Sequence, residues 1–188
     1  MKAKDKILEV TMKMLNDHMD PEQITVRDIA EKAKVNLALI NYHFGSKENL
    51  IYIATGNILN HITNQLHMTS DDLTGMSAYD RLLKTMTDIG DFVFGTYHLS
   101  VIGVSNEMKR GSTDTISLIL PVLNEFFKGK KSDTELKLYA LQIITPLQVI
   151  FLNSDTYNEF LFTDLFDKEK RADVIKQIVD NVLKLNSY

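Results

Sequence analysis

The run Thr25-Val-Arg-Asp-Ile-Ala-Glu-Lys-Ala-Lys-Val-Asn-Leu-Ala-Leu-Ile-Asn-Tyr-His-Phe-Gly-Ser-Lys47 restricts the fold more than any other part of the chain. Val26, Ile29, Ala30 and Ala33 recur at i, i+3, i+4 and i+7, which is one face of a helix. Thr25 stands just ahead as an N-cap, with Asp28 three residues on. Lys34-Val35-Asn36 forms a turn. Asn36 caps a second helix with Ile40 and Phe44 inward and Val35 at the corner. Small Ala30 and Ala33 allow two helices to cross closely. The pattern predicts a helix-turn-helix, whose second helix enters the DNA major groove. An ordinary helical hairpin would share the periodicity.

The outward residues favour the nucleic-acid reading. Asn41, Tyr42, His43 and Lys47 lie between the core positions, with Thr25 and Arg27 at the front of the first helix. They are base-edge and phosphate ligands, unlike the Glu/Lys mixture of a solvated face. Asn41 can pair with adenine N6 and N7. Leu37, Ala38 and Leu39 either meet thymine methyls or, for the two leucines, pack on the preceding helices. Lys47 and Thr25 each stand at a helix start, where a phosphate is welcome.

With Ile40-Asn-Tyr-His-Phe-Gly-Ser-Lys-Glu-Asn-Leu50 added, the segment resembles the DNA-binding domain of the tetracycline-repressor (TetR) family of bacterial regulators. The likeness covers roughly the first 50 residues. It implies phosphate contacts for Tyr42 and His43, although His43 could equally cap or pack under its helix. It also implies a homodimer through the eighth and ninth helices. Lys34 stands where the family usually has Gly. If its φ is positive, it costs about 1 kcal/mol relative to Gly. Leu37 and Leu39 stand where relatives often place polar base readers, so no operator sequence carries over.

A net charge of −4 argues against DNA only on the surface. Residues 1–50 hold eight Lys/Arg and eight Asp/Glu, so the whole deficit lies beyond them. Lys2, Lys4 and Lys6 make a local basic arm. There is no cysteine, hence no disulfide framework or thiolate metal site, which fits a cytoplasmic protein. No signal peptide is visible, since Glu9 and Lys13 break Ile7–Leu15. The apolar stretch Ile143–Leu152 is too short to span a bilayer. No membrane partner is expected.

Three prolines and eight glycines in 188 residues favour long helices. With no alternating β-branched runs, the chain reads as all-α with about nine helices. A helix-turn-helix domain occupies 1–49, and a helical ligand-binding and dimerisation domain occupies 50–188. The first helix covers about 4–18, with Ile7, Leu8, Thr11, Met14 and Leu15 inward, and Asp20-Pro21-Glu22 breaks it. The fourth runs from Lys47, capped by Ser46, to about Met68, with Ile62 and Leu66 among its inward positions. A polar link follows at 69–75. Later helices are expected at 77–94, 97–109, 114–128, 133–152 and 170–185. A short aromatic helix is expected within 155–167. The helix at 133–152 is apolar on nearly every side, so one side can face the core and the other a second subunit. A central core helix of a monomer is the alternative.

None of the five histidines forms an i, i+4 pair, and no phosphate loop, nucleophile elbow or carboxylate dyad appears. Neither an enzyme nor a cofactor is expected. Asn106, Gln142 and Gln148 sit inside apolar helices, and with Phe92 and His98 they could line a pocket for a small hydrophobic or aromatic ligand. The alternative places these amides in solvent or against a partner. The sequence therefore points to a TetR-like regulator, binding a near-palindromic operator as a homodimer and released by a ligand. A ligand-independent DNA-binding protein and a partner-controlled regulator stay open.

Overall fold

The computed structural model describes residues 2–17, 21–65, 75–111 and 113–184. Among these there are eleven helices and no strand. They are α1 Ala3–Asn16, α2 Val26–Ala33, α3 Ala38–Phe44, α4 Lys47–Gln65, α5 Ala78–Gly95 and α6 Tyr97–Arg110. The rest are α7 Asp114–Leu118, α8 Leu120–Phe126, α9 Asp133–Leu152, α10 Ser154–Leu161 and α11 Lys168–Lys184. The expected all-α class holds. The expectations at His18, Asp20, Ile62, Leu66 to Thr74 and Leu185 lie outside the described residues or side chains.

Eleven helices replace nine for two reasons. The short aromatic helix is α10. The single helix expected at 114–128 is two, α7 and α8, because Pro121 occupies the first turn of α8. Proline lacks an amide donor and is tolerated at a helix start but not in its interior. By contrast α9 runs unbroken through Pro146, packed against α7, α8 and α11.

The chain divides into two compact units. One comprises Met1–Met68 with His98–Asn106, and the other Thr69–Tyr97 with Glu107–Tyr188. The first unit is larger than the expected 1–49, since it takes in all of α4 and most of α6. In that unit Leu99 and Ile102 of α6 pack on the core.

The first unit's core is Ile7, Met14 and Leu15 of α1, Ile29, Ala30 and Ala33 of α2, Ile40 and Phe44 of α3, and Leu50, Ile51, Ala54 and Ile58 of α4. Buried Thr11 donates its hydroxyl to Ile7 O at 2.8 Å, which settles a polar group on an apolar face. Ile24, overlooked in the sequence, is also fully buried. It precedes the cap of α2 while Ile29 occupies the fourth helical position, the spacing of a hydrophobic staple.

The second unit's core lies among α5, α7, α8, α9 and α11, with Leu82, Ile119, Leu123, Ile143 and Val179 fully enclosed. α9 is long and apolar enough to cross a membrane by composition, but Leu136, Tyr139, Ala140, Ile143 and Ile144 are buried in this core. α5 and α11 approach closely at Gly90, where a Cβ would meet Ile175 Cδ1 at 2.9 Å. Beside it, buried Arg171 pairs with Asp91, donates to Leu165 O at 2.7 Å and Phe166 O at 3.2 Å, and lies 4.8 Å from the Phe94 ring centre. Burial pushes the Asp91 carboxyl up, but hydrogen bonding and charge from Arg171, with Lys168, hold it below the ordinary value.

Candidate nucleic-acid interface

α2 is fixed at its start by a reciprocal cap. Thr25 Oγ1 accepts from Asp28 N at 3.1 Å, and Asp28 Oδ2 accepts from Thr25 N at 3.0 Å. The Thr25 hydroxyl also donates to Asp28 Oδ2 at 2.5 Å. That bond and the amide of Thr25 lower the Asp28 pKa. The arrangement uses the only donor of the Thr25 hydroxyl. Exposed Arg27 is left as the cationic group of this helix start.

The turn after α2 needs a left-handed residue, and Lys34 takes it at φ +53°. The next amide, Val35 N, then reaches back to Ala30 O at 3.0 Å, the closing bond of a Schellman end. Asn36 Oδ1 accepts from Ala38 N at 2.8 Å and opens α3. Gly45 at φ +77° closes it. Asn49 Nδ2 donates to Phe44 O at 2.8 Å, satisfying a carbonyl at the end of α3. Ser46 Oγ accepts from Asn49 N at 3.1 Å and caps α4 as expected. Asn49 has no signature of its own in the sequence, since one amide after a Gly-Ser pair is unremarkable.

With Ile40 and Phe44 buried, α3 turns Leu37, Ala38, Asn41 and Tyr42 outward. These positions, i, i+1, i+4 and i+5, form one stripe. Tyr42 is 81% exposed and Leu37 40%. Leu39 is instead half-buried against the core, so its packing alternative describes it. His43 is half-buried with its ring between those of Tyr42 and Phe44, at centre distances of 5.0 and 6.3 Å. Half-buried Lys47 points its ammonium at Pro21 O, 3.4 Å away, and Glu22 O, 3.5 Å away. Asn36 is exposed, with its side-chain oxygen engaged in the cap.

The five residues expected to line a ligand pocket do not gather in one compact unit. His98 and Asn106 belong to the first, and Phe92, Gln142 and Gln148 to the second. Gln142 is exposed on the side of α9 away from the buried positions, which corrects its expected place in a cavity wall. On a helix apolar all round, hydropathy cannot show which polar residue faces inward. Asn106 Nδ2 donates to Ile102 O at 2.9 Å within its own helix. Gln148 Nε2 donates to Glu107 Oε2 at 3.2 Å, and the same carboxylate accepts the Thr115 amide at 2.9 Å and hydroxyl at 2.8 Å. Phe92 is half-buried. Among the described residues no group of three His, Asp or Glu could hold a metal ion.

Residues 7–52 match the family of bacterial regulatory proteins called the tetR family. No curated protein matches the chain significantly. The fold is similar to that of a TetR-like transcriptional regulator from Rhodococcus sp. RHA1, with a TM-score of 0.57 at 13% identity over 97% of this chain and 96% of that one. It is also similar to a chain from Pseudomonas aeruginosa PAO1 regarded as a transcriptional regulator, with a TM-score of 0.60 at 19% identity over 98% and 91%. The match to the tetR family falls on α1, α2, α3 and the start of α4, the segment that carries the outward stripe and its caps. By that match residues 7–52 carry a helix-turn-helix domain of the tetR family of bacterial regulatory proteins.

Proposed function

We propose that this protein is a homodimeric repressor, placing α3 of each protomer in successive major grooves of a near-palindromic operator. The observation that carries the reading is the outward stripe of α3. Asn41 is the base reader, Leu37 and Ala38 meet thymine methyls, and Tyr42 and Arg27 hold phosphates. Lys47 and Thr25 help chiefly by fixing the helix starts, with Asn36 doing the same for α3. His43 and Leu39 support the stripe from its flank. The dimer forms through α9 and α11, whose exposed apolar residues include Leu138 and Leu141. A target on DNA places the protein in the cytoplasm.

Footprinting with the purified chain tests this. Two protected half-sites about one helical turn apart are expected. A single unpaired half-site, or protection without sequence preference, would defeat the dimeric operator reading.

Control by a small apolar ligand in the second unit is a second reading. The half-buried Glu107–Gln148–Thr115 cluster favours it, since ligand sites combine apolar walls with few orienting polar groups. A ligand that raises the melting temperature of the free protein should lower operator affinity by linkage. A thermal-shift hit that left operator binding unchanged would reject that control.

A further inference from the structure

The least explained side chain in the molecule is Phe162. It is 97% exposed and sits at φ +52°, a conformation that favours glycine. Both features work against a phenylalanine at this helix end. Nor is the exposure a sign of a loose segment. Phe162 N donates to Glu159 O at 3.3 Å, Thr163 N to Asn158 O at 3.0 Å, and Leu165 N to Asn158 Oδ1 at 2.8 Å. Just beyond, Arg171 fastens Leu165 O and Phe166 O. The ring is thus held outward by a backbone tied on both sides.

Beside it lies an open groove of about 410 Å³ among α9, α10 and α11, lined in part by Ile150, Val174 and Ile178 and by Phe162 itself. Exposed Lys170 and Asp173 also line it. We infer that Phe162 is an anchor of self-association, seated in this groove of a second copy while the second copy's Phe162 fills the first. This rests on the proposed homodimer and names the contact that secures it.

Three observations select a second copy over another occupant. A projecting ring and a receptive apolar groove lie side by side on one surface, which a two-fold axis needs for self-complementary contact. The groove carries one cation and one anion, so a two-fold can set Lys170 against its opposite Asp173. The groove also takes Ile150 from α9 and Val174 and Ile178 from α11, the two helices through which the homodimer is proposed to form. A rigid aromatic group held in its bound position loses little conformational freedom on association.

The test is sedimentation velocity over a concentration series on the full chain and on Phe162→Gly. Glycine suits the positive φ, so the variant should keep its helix content and melting profile when monomeric. Its dimer dissociation constant should rise at least tenfold. An unchanged dissociation constant would overturn the anchor and leave the homodimer standing. A wild-type chain that is monomeric at micromolar concentration would overturn both. Because the chain has no cysteine, an independent check mixes Phe162→Cys with a differently tagged Ile178→Cys under mild oxidation. A mixed-tag disulfide dimer is expected, and its absence would also overturn the assignment.

Discussion

Both compact units end a helix on a non-glycine residue in the left-handed region, Lys34 in the first at φ +53° and Phe162 in the second at φ +52°. The backbone strain is alike, but the side chains are not. A lysine at that corner reaches into water, where its charge belongs. A phenylalanine there exposes the ring that burial would favour. The contrast extends across each unit. Among the described residues of the first, the large apolar ones left exposed are Leu37 and Tyr42, both on the outer stripe of α3. In the second they include Leu138, Leu141, Phe160 and Phe162, on α9 and at the end of α10. The lesson is that departures from the ordinary surface mark where each unit is proposed to meet something else.

The ion pair offers the sharpest way to separate the units. Asp91→Ala leaves Arg171 buried without its carboxylate and should cost about 3–5 kcal/mol. Urea unfolding followed by circular dichroism measures this, while base preference in a site selection should not change. The same pair predicts an acid limit. The folded pKa of Asp91 lies below the ordinary carboxylate value, so its stabilisation is complete above the unfolded pKa of about 3.9 and is lost as pH falls through the folded one. Asp91→Asn should flatten that part of the pH–stability curve.

Ile40→Ala attacks the inner side of α3 instead. Removing a fully buried isoleucine should cost about 2–5 kcal/mol, and operator binding should fail through loss of the head. Retention of full operator affinity would show that α3 is not the reading element. Asn41→Ala tests the outer side. It should weaken specific binding by about 1–3 kcal/mol and relax preference at one base position per half-site, without lowering the melting temperature. An unchanged preference in a randomised-site selection would move the reading face elsewhere.

Two smaller changes compare like with like. α2 and α9 each open with a reciprocal cap, Thr25 with Asp28 and Ser132 with Glu135. The Ser132 amide, with Lys131 and the Ser132 hydroxyl, pulls the Glu135 pKa down to about 2. Thr25→Ala and Ser132→Ala should each cost about 1 kcal/mol. A much larger loss at Thr25 would show that its start also positions α3. Lys34→Gly should change stability least. Relief of about 1 kcal/mol at positive φ is offset by about 0.4–1 kcal/mol from the freer unfolded chain. Thermal unfolding within a few degrees of the parent is expected.

The sequence by itself determined the local grammar of the head. Thr25 and Asp28 as a cap, the turn at Lys34-Val35-Asn36, Ile40 and Phe44 inward and Ser46 opening α4 all depend on neighbours within a few residues. Hydrogen-bond reach and helical period are fixed over that distance. Helix existence was legible for the same reason, and Pro121 explains the one helix that became two. Only the tertiary structure decided the rest. It joined Asp91 to Arg171 across 80 positions, placed Asn49 under the end of α3 and Gln148 against Glu107, and turned Gln142 outward on α9. It also left Phe162 unburied. Such pairings depend on which faces of distant helices meet, and a helix apolar all round, such as α9, carries no periodic signal that says which face that will be.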